Sequence, residues 1–275
     1  LKKLLFTHGC SFTSEPRGDT PRWPTYLAKQ LNMDYFNHGI GGYGNHGIFR
    51  GTVNWLLENK DRWNEIFIVI QWTACCRWEF FDNKDGTKKQ YHSIDIPFEY
   101  ESRDDATWKQ FHLLTDKTWK THPYRQPQGY LTVTEEYYDR LLLVTWLQNF
   151  LKINNIPYLF FDGISSYKYR DADGRWFAFT PEDEIDYNLL NSMISFVDTK
   201  RYLELPLLAF CGDEDYVVGE GYFEDTGKHP YPEYKKYKNK WEENMFEEDG
   251  FHPNPLGHER WSEFLFDYIK ENKLL

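Results

Sequence analysis

Along this chain, short unbroken apolar runs alternate with longer stretches of helical spacing. "KKLLFTHGCS" begins as a short buried strand and runs into a glycine-containing turn. Helical spacing follows in "WPTYLAKQL", Trp23 to Leu31. "MDYFNHG" predicts a second short strand that stops at Gly39. "GIGGYGNHG", Gly39 to Gly47, predicts a glycine-rich turn, with a helix after it through "IFRGTVNWLLEN". The clearest strand is "EIFIVIQW", Glu65 to Trp72, a continuous apolar run between polar residues. The strongest helical pattern spans Thr132 to Asn155, where Thr132 and Glu135 resemble a capping box. "IPYLFFDG", Ile156 to Gly163, predicts another buried strand, and "ERWSEFLFDYIKEN" a last helix.

Strand and helix in alternation predict an α/β fold, with a parallel sheet covered by helices on both faces. The expectation is a single domain over residues 1–275, carrying two long insertions at about 80–130 and 165–248. The first is polar, aromatic and weakly periodic, and the second is a long excursion with some helix near "IDYNLLNSMISFV". Active sites in such sheets lie at the carboxyl ends of the strands. "GCSFT", "GIGGYGN" and "TACCR" each follow a predicted strand, so all three are expected on one edge. The loop "DGFHPN", just before the last helix, is expected to join them.

Composition narrows the partners. Hydrophobic residues at 40% and charged residues at 27% suit a globular protein in water. The 21 Phe, 20 Tyr and 11 Trp suit a core built from rings, and also a cleft that stacks on sugars. A net charge of −11 argues against a nucleic-acid partner and against adhesion to an anionic membrane. No run of 18 apolar residues is present, so no membrane span is expected. The four cysteines, Cys10, Cys75, Cys76 and Cys211, show neither CxxC nor zinc-site spacing. Reduced thiols, with an apolar N-terminal run too short for a signal peptide, lead to the expectation of a cytoplasmic protein. His8, His38 and His46 border the predicted edge, but they sit on different loops without a carboxylate motif. No metal and no cofactor are expected.

The candidate chemistry begins with Ser11, directly after the first strand. A serine becomes a useful nucleophile when a base accepts its proton. His252 is the candidate base, and Asp249, three residues earlier, the group that fixes its tautomer. Gly250, Pro253, Asn254 and Pro255 supply the turn formers of that loop. The glycine turn after the second strand offers a backbone N–H to a developing oxyanion.

"GCSFT", "NHGIGGYGN" and "DGFHPN" resemble blocks I, II and V of the SGNH/GDSL hydrolase family. The resemblance implies a three-layer α/β/α flavodoxin-like fold and cleavage of acetyl or acyl esters, including those of sugars and lipids. It implies Ser11 as nucleophile, His252 as base and Asp249 as its orienter. Gly42, counted from Asn37 by the N-x-x-x-x-G pattern, would line the oxyanion hole with Ser11.

The chain departs from that family after the third strand. The family carries G-x-N-D there, and its Asn completes the oxyanion hole; here the sequence is "QWTACCR", Gln71 to Arg77. Either Thr73 or Asn45 is the expected replacement, with Asn45 preferred for its two donors and a helix cap as its alternative role. Cys10 stands where the family name has Asp.

Arg77 and Glu79 are candidate substrate-binding residues, the alternative being a surface ion pair. Arg50 is read as a solvated charge, His258 as a packing or capping residue early in the last helix, and Asp213, Glu214 and Asp215 as a solvated acidic turn. The function expected is a serine esterase or deacetylase acting through an acyl-enzyme on Ser11. Its substrate is a small-molecule or carbohydrate ester. An acyltransferase using the same site, and a catalytically silent carbohydrate-binding protein on the same fold, are the alternatives.

Overall fold

The computed structural model describes residues 3–15, 21–73, 77–82, 89–95, 133–163, 168–170, 176–178, 192–203, 205–211, 244–247 and 252–275. Over 77–82, 89–95, 133–137, 168–170, 176–178 and 208–209 the description covers the backbone alone. The elements are β1 (Leu4–His8), α1 (Trp23–Leu31), β2 (Asp34–Asn37), α2 (Asn45–Glu58), β3 (Ile66–Trp72), β4 (Arg77–Asp82) and β5 (Lys89–Asp95). They continue with α3 (Val133–Ile153), β6 (Tyr158–Asp162), β7 (Lys168–Arg170), β8 (Trp176–Ala178), β9 (Tyr202–Leu203), α4 (Leu207–Phe210) and α5 (Pro255–Glu271).

Five strands make one sheet in the order β2-β1-β3-β6-β9, and every pairing in it is parallel. Counted by those strands alone the order is 2-1-3-4-5, the doubly wound flavodoxin-like order. Each of β1, β3 and β6 is buried along its full length, as the unbroken apolar runs predict for strands covered on both faces. Side chains alternate across a strand, and that alternation divides the core in two. Leu5, Phe67, Val69, Leu159 and Phe161 face α1 and α5, where Trp23, Leu27, Trp261 and Leu265 meet them. Phe6, Ile68, Ile70, Trp72 and Phe160 face α2 and α3, against Ile48, Leu56, Val144 and Leu147. The architecture is therefore a three-layer α/β/α sandwich.

Local chemistry sets the helix ends. Pro24 lies in the first turn of α1, and Asn32 closes the helix in the left-handed region at φ 52°. Asn254 caps α5 by accepting from the Gly257 N–H at 2.9 Å, with Pro255 as the first helical residue. Among the described residues, no helix is long and apolar enough to cross a membrane. Cys10 and Cys211 are buried free thiols, and burial raises the Cys211 pKa.

Five short strands went unread in the sequence. β9 joins the sheet edge with only two residues. β4 and β5 form a separate antiparallel pair, and so do β7 and β8. Within the two insertions, residues 83–88, 96–130, 165–167, 171–175, 179–191, 204, 212–243 and 248 lie outside the described residues, as do Cys75, Cys76 and the Thr132 cap; the Asp213 to Asp215 turn is among them.

Candidate active site

The first turn leaves β1 tightly. The N–H groups of Thr13 and Ser14 both donate to the Cys10 carbonyl at 2.9 Å, which lifts Ser11 to the corner of the turn. Ser11 is partly exposed, while its neighbours Cys10 and Phe12 are fully buried. Beneath it, the Thr13 hydroxyl donates to Gln71 Oε1 at 2.7 Å and accepts from Trp23 Nε1 at 3.3 Å. Gln71 in turn donates to Cys10 Sγ at 3.1 Å and to the Trp72 carbonyl at 3.0 Å. A buried side-chain network thus pins the turn to β3 and to the start of α1.

The second turn is laid against the first. Ile40 N–H donates to the Gly9 carbonyl at 3.0 Å, and Asn37 Nδ2 donates to the Thr13 carbonyl at 2.6 Å. Asn37 Oδ1 accepts from the Gly39 N–H at 2.9 Å. A Cβ on Gly39 would stand 2.6 Å from Ser14 N, so only glycine lets the two backbones meet there. Gly42 follows with φ 76°.

At the end of β3, Thr73 is held by Asn45. Its Nδ2 donates to the Thr73 carbonyl at 3.1 Å, and its Oδ1 accepts from the Thr73 N–H at 2.9 Å. This amide pair is a role that the sequence did not suggest for Asn45. Gly44 is the N-cap residue of α2, without a side-chain cap bond, so Asn45 caps nothing. Both ends of its amide bond the main chain of Thr73. Thr73 Oγ1 is buried with no hydrogen-bond partner among the described residues.

The His252 loop closes the group. Glu247 N–H donates to the His252 carbonyl at 2.8 Å, and Asn254 N–H to the Met245 carbonyl at 2.9 Å. Residues 245–247 and 252–254 are thus two arms of a narrow hairpin, with an antiparallel bridge between Phe246 and Pro253. His252 Nε2 lies 3.2 Å from Ser11 Oγ, although 241 positions separate them in the chain. The Phe12 ring meets the imidazole edge to face, with centroids 5.3 Å apart. Asp249 lies outside the described residues. So do the side chains of Arg77 and Glu79, whose backbone belongs to β4, with Glu79 where the β4–β5 register shifts.

Arg22 went unread in the sequence. It stands just before α1, and its Nη1 lies 2.8 Å from His258 Nε2 and 3.3 Å from both the Pro253 carbonyl and Glu247 Oε1. A single arginine ahead of a helix has no sequence signature; its partners lie more than 220 positions away. Because Arg22 can only donate, His258 Nε2 accepts and its ring is neutral. Burial, with the Arg22 charge and then His252, drives the His258 pKa well below the usual histidine value. His8 is held down in the same way, by burial first and then by His38.

The histidines of the edge do different things. His8 is fully buried and bonds Thr52 Oγ1 through Nδ1 at 3.1 Å. Its ring lies 4.6 Å from that of His38. His46 instead pairs with Asp139 at 2.6 Å on the exposed surface. Among the described residues, no cluster of three His, Cys, Asp or Glu side chains is placed to hold a metal ion. Arg50 is partly exposed on α2.

The model of a family described as "Family of unknown function (DUF6071)" matches residues 14–193. No curated protein matches the sequence. Solved structures similar to this chain include the psychrotrophic esterase EstA from Pseudoalteromonas sp., with 12% identity, coverage of 98% of this chain and 97% of that one, and a TM-score of 0.46. A GDSL-like lipase from Bacteroides thetaiotaomicron VPI-5482 has 10% identity, coverage of 98% and 88%, and a TM-score of 0.42. The acetyl xylan esterase Est2A from Butyrivibrio proteoclasticus has 14% identity, coverage of 98% and 64%, and a TM-score of 0.41.

Proposed function

The chain belongs to the family whose model spans residues 14–193, and we propose that it is a serine hydrolase acting on esters of small molecules or carbohydrates. One observation carries the reading: Ser11 Oγ and His252 Nε2, from opposite ends of the chain, stand 3.2 Å apart. They do so beside the carboxyl ends of β1 and β3, where ligands bind in this sheet order. That distance is at the outer edge of a nucleophile–base hydrogen bond, and such bonds tighten when substrate arrives.

In the proposed reaction Ser11 Oγ attacks the ester carbonyl while His252 Nε2 takes its proton. The tetrahedral intermediate collapses to a serine ester, and His252 passes the proton to the departing alcohol. Water then attacks the acyl-enzyme by the same path. Asp249 is the proposed partner of the other imidazole nitrogen. The backbone N–H groups of Ser11 and Gly42 are the proposed oxyanion donors, in keeping with the sharp corner at Ser11 and the left-handed Gly42. Asn45 supports that wall by bonding Thr73, and Thr73 Oγ1 is the remaining side-chain donor of the proposal. Arg77 and Glu79, on the strand that follows β3, are the proposed contacts to the substrate's alcohol portion.

The test is labelling with a fluorophosphonate, which traps an activated serine, alongside hydrolysis of para-nitrophenyl acetate. Wild type should label at Ser11 and turn over the ester, and Ser11→Ala should do neither. Full activity in purified Ser11→Ala protein would remove Ser11 from the chemistry.

A further inference from the structure

The nucleophile and the base lie on separate segments, the turn after β1 and the hairpin before α5. Hydrogen bonding from one dipeptide, Arg22–Trp23, reaches both. Trp23 Nε1 donates to Thr13 Oγ1 within the serine turn at 3.3 Å. Arg22 Nη1 reaches both arms of the histidine hairpin, at Glu247 Oε1 and the Pro253 carbonyl, each at 3.3 Å. Its shortest contact, 2.8 Å to His258 Nε2, ties the same guanidinium to the first turn of α5. Pro253 is the residue after His252, so that carbonyl is one peptide from the base.

We infer that Arg22 is a positioning residue for the proposed reaction, setting the distance between Ser11 and His252 by clamping the His252 hairpin against the anchored start of α1. The inference rests on the hydrolase reading only for its kinetic consequences. Its physical basis is the shape of the cation. Two hydrogens on one nitrogen are shared among a carbonyl, a carboxylate and a neutral ring nitrogen, in a planar group that is only 13% exposed. A lysine at this position offers enough hydrogens, but on a stem one bond shorter and without the fixed orientation of the planar group, so it holds the three acceptors less firmly. Salt screens this contact less than a surface pair, because the guanidinium is largely shielded from solvent. The buried His258 supports the assignment. Its Nε2 is kept as an acceptor, and its Nδ1 finds no partner among the described residues, so the ring serves Arg22 rather than a network of its own.

Arg22→Ala should lower kcat for para-nitrophenyl acetate by about 10²-fold, the cost of a shift of about 1 Å between reacting groups. KM should stay within about twofold, since the residue is assigned no contact with substrate. Arg22→Lys should recover only part of the rate. Added guanidinium ion, well below denaturing concentration, should recover rate in Arg22→Ala and leave wild type unchanged, which a general loss of packing would not do. Crystal structures of wild type and Arg22→Gln supply the second measurement, should the alanine variant fail to fold. The expected result is a His252 hairpin displaced away from Ser11 in the variant. Wild-type kcat in Arg22→Ala, or superposable hairpins in the two crystals, would overturn the inference. Failure of the wild type to react with fluorophosphonate would instead overturn the hydrolase reading, and the two crystal structures would still decide the role of Arg22.

Discussion

Gly39→Ala is the most economical probe of how the site is held together. The added methyl would stand 2.6 Å from Ser14 N, 2.7 Å from Thr13 C and 2.9 Å from Ser14 Cα. All three are backbone atoms of the serine turn, so no side chain can swing aside. Ordinary contact begins near 3.4 Å, and the two turns must separate by the difference, about 0.8 Å. That separation also pulls on the 2.6 Å bond from Asn37 Nδ2 to the Thr13 carbonyl. Overpacking of this kind costs about 1–3 kcal/mol. At about 2 kcal/mol the melting temperature should drop by about 4–8 °C. A shift of this size at the nucleophile should lower kcat by about 10²-fold if Ser11 reacts as proposed. Gly41→Ala is the control in the same turn, for nothing lies within 4 Å of its Cβ and its φ is not positive. It should be neutral or raise stability by about 0.4–1 kcal/mol through the unfolded chain. Differential scanning calorimetry on the two variants reads the contrast. Equal melting temperatures for Gly39→Ala and Gly41→Ala would refute the claim that the two turns are in backbone contact at Gly39.

Asn45→Ala removes two hydrogen bonds to buried main-chain groups of Thr73 and should cost about 2 kcal/mol. Asn45→Asp should be about as damaging, because a carboxylate cannot donate to the Thr73 carbonyl; thermal melts that match wild type would dismiss the linkage. Stability should also fall on acidification. His8 and His258 have folded pKa values pushed down by burial, so between the folded values and about 6.5 the unfolded chain binds more protons. The stabilisation is complete above about 6.5 and is lost as pH drops below it, with a limiting slope of about 1.4 kcal/mol per pH unit for each histidine. Urea unfolding at pH 7.5 and 5.5 measures this, and a His258→Gln variant with the same pH dependence as wild type would count against it.

The apolar pattern was enough for four of the five strands of the sheet. β1, β3 and β6 are unbroken apolar runs because both faces of each are covered, and α1 has the limits its spacing predicts, Trp23 to Leu31. A long apolar segment carries its burial in its own composition. The meeting of Ser11 and His252, 3.2 Å apart, was expected on other grounds: one follows the first strand, the other precedes the last helix, and both loops resemble family blocks. β9, β4 and β5 were not legible, since strands of two to seven residues in polar surroundings have no period to read. Nor were the roles of the polar residues that hold the site. Asn45 carries the same side chain whether it caps a helix, faces a cleft or bonds Thr73; what decides is the Thr73 N–H and C=O that the end of β3 places opposite it. Arg22 is a lone cation before a helix until α1 and α5 pack side by side on one face of the sheet and bring His258, Pro253 and Glu247 within its reach. Hydrophobic burial is a property a segment largely brings with it. A hydrogen-bond partner is chosen by distance and angle, and those exist only once the chain has closed on itself.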